Sequence, residues 1–520
     1  MAMMSSVLVC TARCIGDVGQ DDLPARSVLA TMRAKNRYMA TLLAAACTGL
    51  QPSTVPIMLT LDTSSSTSLT EQIVAGVAQR IGRGLLPAGS KLPSVRALAK
   101  TLSVSPFTVA EAYNRLSAQG WIAAKPARGY YVLAKSRSAA VPALRAPVDE
   151  AWLIRRVYED EALTLPAGCG WLPGDWLYEE GVRGALRQLA RGPAERLMRY
   201  GHPQGLTALR EHLEWQLALR GIEAPAAQIV LTHGASQGLD LAIRLISRPG
   251  DAVLVETPGY SNLLTALRHH GVRLLPVPRT AAGPDPEVLA TLAELHRPVA
   301  FFTNTQLHNP TGTSTSPATA FRLLQLAERY DFTIVEDDPF AELAAPPGPT
   351  LASLDALKRV IYLGSFSKTI SPALRVGFMA ANPDTVAAAS QLKMAGGLTS
   401  SLLNEAATLA IVTDGHYRAH LERLRESLAE AQRRVADALE ALGWRVFHRP
   451  SGGLFLWAAA PEGIDSKQLT DAAAKAGIAL APGAFYQCED APEPGWFRFN
   501  VAWSLDARLF DFLSDHARRR

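Results

Sequence analysis

Apolar positions first settle into a helical rhythm at Leu69, Ile73, Val77 and Ile81, with Gly82 and Gly84 to close the helix. Ser94 is placed to cap a short second helix carrying Leu98 and Leu102. Ser105 followed by Pro106 predicts the start of a third, buried on Val109, Ala112, Tyr113 and Leu116 and ended by Gly120. WIAAKPARGYYVL then reads as two short strands about a turn. Residues 136–164 open with a Ser-, Ala- and Pro-rich stretch and read as a linker. From 165 the rhythm alternates. Short apolar runs at 228–233, 252–257, 273–278, 299–304, 332–337, 360–365 and 375–380 are mostly separated by helical stretches. That predicts an α/β domain on a largely parallel sheet over 165–400. A long charged helix near 415–442, a hairpin-like FHRPSGGLFLWAAA and short strands near 478 and 496–503 predict a smaller α+β lobe over 401–520.

Composition narrows this picture. Hydrophobic residues make up 48% and charged residues 19% of the 520, which excludes wholesale disorder. No apolar run approaches the roughly 18 residues of a membrane span. Five scattered cysteines argue against a disulfide framework and for a cytoplasmic protein. No metal site is expected. Residues 58–135 hold nine Lys/Arg against three Asp/Glu, a net +6, within a chain of net +4. A basic segment ahead of an acidic body fits a polyanion partner or a solvated basic face. Residues 1–57 show no sustained period. Residues 32–47 have the outline of a lipoprotein signal ahead of Cys47, but it does not begin the chain. The segment reads as an extension without a fold, or as a misassigned start with Met58 the true one.

Two short helices, a capped third helix and a β-wing over 58–135 make a winged helix-turn-helix, with the third helix suited to the major groove. The string AGSKLPSVRALAKTLSVSPFTVAEAYNRLSAQGWIAAKPARGYYV resembles the GntR family of bacterial transcription regulators. The resemblance implies that Lys91 and Arg96 contact phosphates, Ser105 and Thr108 lie at the groove, and Arg128 and Gly129 form the wing tip. The family usually carries an arginine after the capping serine. Here that place is Pro106, followed by Phe107, so altered specificity is expected.

In the large domain, GSFSKTISPALRVG at 364–377 resembles the pyridoxal-phosphate site of fold-type I aminotransferases, and the other stations of that family follow in order. The resemblance implies that Lys368 forms the imine with the cofactor aldehyde. Asp337 would pair with the pyridine nitrogen, Asn309 would bond the phenolic oxygen and Tyr260 would stack on the ring. Gly234, Ala235 and Ser236 would hold the phosphate at a helix N-terminus, completed by Ser365 and Arg375. Tyr200 would reach the phosphate of the partner subunit. Arg498 would bind a substrate carboxylate beside Asn309. Where the family commonly has a tyrosine that donates to the phenolic oxygen, this chain has Phe340. His308 has no role in this scheme and reads as structural.

A winged helix ahead of an aminotransferase-like domain looks like the MocR subfamily of GntR regulators. The resemblance implies a dimeric, cytoplasmic regulator that binds pyridoxal 5'-phosphate and double-stranded DNA, and senses an amino compound or the cofactor itself through Lys368. The alternative is a working aminotransferase with a DNA-binding appendage.

Overall fold

The computed structural model describes residues 59–133, 157–488 and 495–518, apart from 60, 63–64, 66, 83–84, 126–127, 158, 160–162, 194–197 and 346–347. The expectations for residues 1–57, for most of the linker and for Gly84 lie outside the described residues. The chain divides into two compact units, 1–144 and 145–520.

The first unit contains α1 (Leu69–Gly82), α2 (Val95–Leu102), α3 (Pro106–Ala118), β1 (Ile122–Lys125) and β2 (Gly129–Val132). The caps are those the sequence predicts. Ser94 Oγ accepts from Ala97 N at 3.2 Å, and Ser105 Oγ accepts from Thr108 N at 3.0 Å. The strands pair antiparallel with Ile122 opposite Val132. Ile73, Val77, Leu98, Val109, Tyr113 and Leu116 close one core with Ile122 and Val132. Inside it, Tyr113 Oη donates to Pro93 O at 3.0 Å and pins α3 to the approach of α2. Burial pushes the Tyr113 phenol well up, so it stays a neutral donor.

The second unit carries the other described helices: α4 (Glu179–Arg191), α5 (Thr207–Ala218), α6 (Ala235–Ile246), α7 (Ser261–His270), α8 (Pro286–His296), α9 (Pro317–Tyr330), α10 (Leu351–Asp355), α11 (Pro383–Gly397), α12 (Leu402–Val412), α13 (Tyr417–Ala441), α14 (Ser466–Lys475) and α15 (Ala507–Arg518). Its large sheet consists of β3 (Ile229–Thr232), β4 (Ala252–Thr257), β5 (Arg273–Thr280), β6 (Gly283–Pro284), β7 (Ala300–Thr303), β8 (Thr333–Asp338), β9 (Val360–Ser365) and β10 (Gly377–Ala380). The order is β3-β10-β9-β8-β7-β4-β5-β6. The strands β5, β4, β7, β8 and β9 run parallel, and β10 runs antiparallel between β9 and β3. Each predicted run became a strand. The central ones are buried on both faces, which is why they read as unbroken apolar runs. The smaller sheet, β11 (Arg445–Val446), β12 (Phe455–Ala459), β13 (Ala481–Pro482) and β14 (Trp496–Asn500), is antiparallel in the order β11-β12-β14-β13.

The cores divide this unit differently from the expected 165–400 and 401–520. Leu165, Ala167 and Leu172 are buried in the small-lobe core beside Phe497 and Phe499. Leu165 also forms a parallel bridge with Ile478. Conversely, Ala407 and Ile411 of α12 belong to the large core. The helix α13 serves both. Tyr417 and Leu421 pack with the large core, and Leu424 to Leu439 with the small one. The expected boundary followed a change of rhythm along the chain, whereas the cores are assembled from segments far apart in sequence.

Leu116 is fully buried. Leu116→Ala should cost the first unit about 2–5 kcal/mol, read as lost hydrogen-exchange protection of amides in 69–133.

Candidate functional site

The parallel strands deliver their C-terminal ends to one cavity, lined by Ala235, Ser236, Tyr260, Asn309, Asp337, Ser365, Lys368 and Arg375 together with Gly170, Asn304, Phe340 and Phe455. Eight of the predicted residues are thus brought together from five separate stretches of chain.

The end of β8 shows how. Glu336, Asp337 and Asp338 are consecutive and all buried. Alternation along the strand sends Glu336 and Asp338 one way and Asp337 the other. Glu336 takes a hydrogen bond from Thr305 and accepts from the amides of Leu351 and Ala352 that open α10. Asp338 is held by Arg220 and Tyr362, each at 2.9 Å. Asp337 Oδ1 has no hydrogen-bond partner among the described residues. Burial, reinforced by the Asp338 charge, pushes the Asp337 carboxyl up to about 7, with Lys368 pulling the other way.

Lys368 follows β9. Its Nζ donates to Gly170 O at 2.7 Å. Gly234 has φ +74, and a Cβ there would stand 2.6 Å from the Arg375 guanidinium. The glycine therefore opens α6 so that its first amides face the cavity beside Arg375. Arg375 donates to Ser367 Oγ and His233 O, both at 3.2 Å. The Ser365 hydroxyl accepts from Ser367 N.

Asn309 is set by Arg498, whose NH1 donates to Asn309 Oδ1 at 2.8 Å. That leaves the Asn309 amide nitrogen as the end available to the cavity. Arg498 is fully buried between the Phe455 and Tyr486 rings, and its Nε and NH2 both reach Gly168 O. It stands behind Asn309 and does not line the cavity. Tyr200 is not brought to the cavity either, and remains 79% exposed.

Two features escaped the sequence reading. One is a strap at 168–171. Gly168 O holds Arg498, Gly170 O holds Lys368, and Asn500 Nδ2 donates to the carbonyls of Cys169 and Trp171. A Cβ on Gly168 would lie 2.3 Å from Ala481 N, so only glycine allows this approach. The glycines of PAGCGW were the available signal. The other is a buried cluster beneath the Asn309 loop. Arg279 NH1 meets Glu256 at 2.5 Å and His308 Nε2 meets it at 2.9 Å. Burial alone would raise the Glu256 carboxyl, but the Arg279 and His308 charges outweigh it and hold it at about 2. His308 is therefore structural, as expected. Nothing in HNPTG by itself pointed to Glu256.

In the first unit Arg96 and Arg128 are exposed, as is Gly129 at φ +96. Lys91 bridges to Tyr131 of the wing. Ser105 and Thr108 hydroxyls lie 2.8 Å apart and bond each other.

Residues 174–510 match the family Aminotransferase class I and II, and residues 69–132 match Bacterial regulatory proteins, gntR family. The chain belongs to the class of regulators that join a GntR helix-turn-helix to a fold-type I aminotransferase domain. Within that class it is a member of the MocR subfamily. It is 30% identical over 455 residues to the uncharacterized HTH-type transcriptional regulator YdcR of Escherichia coli strain K12, covering 84% of this chain and 96% of that one. To MocR of Rhizobium meliloti it is 29% identical over 459 residues, covering 84% and 91%. Among solved structures it resembles LysN, the α-aminoadipate aminotransferase of Thermus thermophilus complexed with N-(5'-phosphopyridoxyl)-L-leucine. The TM-score is 0.64 at 26% identity, over 70% of this chain and 95% of that one.

The cofactor of this class is pyridoxal 5'-phosphate. The cavity fits it on its own terms. It offers a primary amine, an unpartnered buried carboxyl oxygen, and amides and a guanidinium gathered at a helix start.

Asp337 also sets a pH dependence. Its carboxyl is raised above the unfolded value near 3.8, so its contribution is full below pH 4 and is lost as pH rises towards 7. In cofactor-free protein, Asp337→Asn should melt higher than the native chain at pH 8, with the gap closing at pH 4. The same variant should take up cofactor more weakly, measured by titration.

Proposed function

We propose that this DNA-binding regulator uses its aminotransferase-like unit as the sensor of a small amino compound, with the cofactor bound covalently at Lys368. The bound group supplies an electrophilic carbon that exchanges one amine for another. Asp337 would face the pyridine nitrogen, Asn309 the phenolic oxygen and Tyr260 the ring. Ala235, Ser236, Ser365 and Arg375 would hold the phosphate. The observation that carries the reading is the Lys368–Gly170 contact inside a cavity with an unpartnered Asp337 oxygen. Whatever occupies the Lys368 amine must break that contact, and the strap behind it is tied through Arg498 and Asn500 to the small lobe. Displacement of Lys368 by an incoming amine would free the Lys368 amine to take Gly170 O again and tie the strap back down. That gives an effector two states to distinguish, as coupling to DNA affinity requires.

Exposed Tyr200 supports a homodimer in which each subunit completes the other's phosphate site. A working aminotransferase is the second reading. The completed cofactor set favours it. Phe340 weighs against it, because its buried ring packs on Phe455 and offers no hydroxyl to the cavity.

The purified protein should absorb visible light after uptake of pyridoxal phosphate, and borohydride should lock the cofactor to Lys368 by mass spectrometry. Lys368→Ala should show neither. A protein that takes up no cofactor would overturn the sensor reading. Duplex DNA binding should fall steeply with salt, because phosphate contacts release counterions. Arg96→Ala and Arg128→Ala should weaken it on all sequences alike, each lowering the salt slope by about one unit in a mobility-shift series. Candidate amines should change the affinity of the cofactor-loaded protein for its DNA. Turnover with an amino donor and a keto acid would instead favour the enzyme.

A further inference from the structure

The recognition helix begins with an aromatic ring in water. Phe107, the second residue of α3, is 80% exposed, although the core of its unit closes without it. A ring left in solvent on an otherwise well-packed unit has no folding role to explain it. It stands in the first turn, the part of a recognition helix that meets base edges. We propose that Phe107 is the base-reading residue of this protein and selects a thymine through its 5-methyl group in the major groove. The proposal rests on the DNA-binding reading above.

Beside Phe107 the first turn offers two hydroxyls, which are partly engaged within the helix, and no charged or bidentate reader. The Ser105 and Thr108 hydroxyls bond each other, and Ser105 also accepts from the Thr108 amide. Pro106 has no N–H. The only cation on α3 is Arg115, in the last turn, and it is held by Glu111 at 2.9 Å. So no guanidinium fork is available at the helix start for guanine O6 and N7, the commonest specific contact. Ala110 continues the apolar face one turn on. Thymine alone among the four bases carries a methyl in the major groove. A phenyl ring against that methyl removes apolar surface from water. The same ring over guanine or cytosine strips water from acceptors or an amine without replacing the hydrogen bonds, which disfavours G·C. Exposed Arg96, Lys100 and Arg128 supply cations for the phosphates, so affinity and base choice fall to different residues.

The test uses the full chain loaded with cofactor. Duplexes are selected from a random library, and each thymine in the selected half-site is then replaced singly by deoxyuridine, which lacks only the methyl. We expect one thymine per half-site whose replacement weakens binding about fourfold, the factor that burying one methylene-sized group is worth. Phe107→Ala should bind the thymine and deoxyuridine duplexes equally. Phe107→Arg should select guanine at that position. Because Phe107 is exposed, both variants should melt as the native chain does. Equal binding of thymine and deoxyuridine duplexes by the native protein overturns the proposal, as does a methyl preference that survives in Phe107→Ala. A library from which nothing enriches overturns the DNA-binding reading itself.

Discussion

At the end of β8 three consecutive acids leave water together. Burying a carboxyl costs several kcal/mol unless hydrogen bonds or charge offset it. Glu336 is answered by Thr305 and by two amides of α10, and Asp338 by Arg220 and Tyr362. Asp337 Oδ1 is left unanswered, and its carboxyl sits near 7 as burial and the Asp338 charge combine. That unmet demand for a positive partner faces the cavity that the cofactor-site side chains of the second unit are arranged around. The flanking acids are anchored by groups of their own and do not compete for that partner. A cationic pyridine nitrogen is the group that would relieve it.

The opposite wall of the cavity is not part of the large sheet. It is the strap 168–171, held on the small lobe by Asn500 and joined to Arg498. Lys368 and Asn309 therefore sit between two layers that answer to different cores. Arg498 orients Asn309, Gly170 holds Lys368, and both tethers lead to the same lobe. The residue that closes the chemistry of the site and the residue that positions its partner are coupled through a few carbonyl oxygens. A change at one amine thus has a short path to a whole lobe.

The first unit is built with the same separation of roles. Its core holds the helices with Tyr113 and a row of aliphatic side chains, and its cap hydroxyls serve the backbone. Cations lie at its surface, while the start of α3 is apolar. The departure from arginine at position 106 that the sequence shows therefore changes the exposed chemistry of the first turn of α3, with the scaffold untouched.

Local chemistry accounts for what was legible beforehand. Caps, turn glycines and apolar period are written within a few residues of one another, so the helices of the first unit and the buried runs of the large sheet could be read directly. The cofactor motifs were readable for the same reason, because Asp337, Asn309 and Lys368 each sit in a short string of fixed local geometry at or beyond a strand end. Three matters were decided only by tertiary structure. Which of Asp337 and Asp338 faces the cavity depends on the orientation of β8 between β7 and β9. The strap depends on residues more than three hundred positions from their partners. The pairing of His308 and Arg279 with Glu256 depends on burial, which converts an ordinary surface triad into a fixed support. Sequence spacing carries the period of an element and the chemistry of a turn; it does not carry the low-dielectric environment in which a carboxyl, a histidine or an amine acquires its role, since that is made by side chains arriving from elsewhere in the fold.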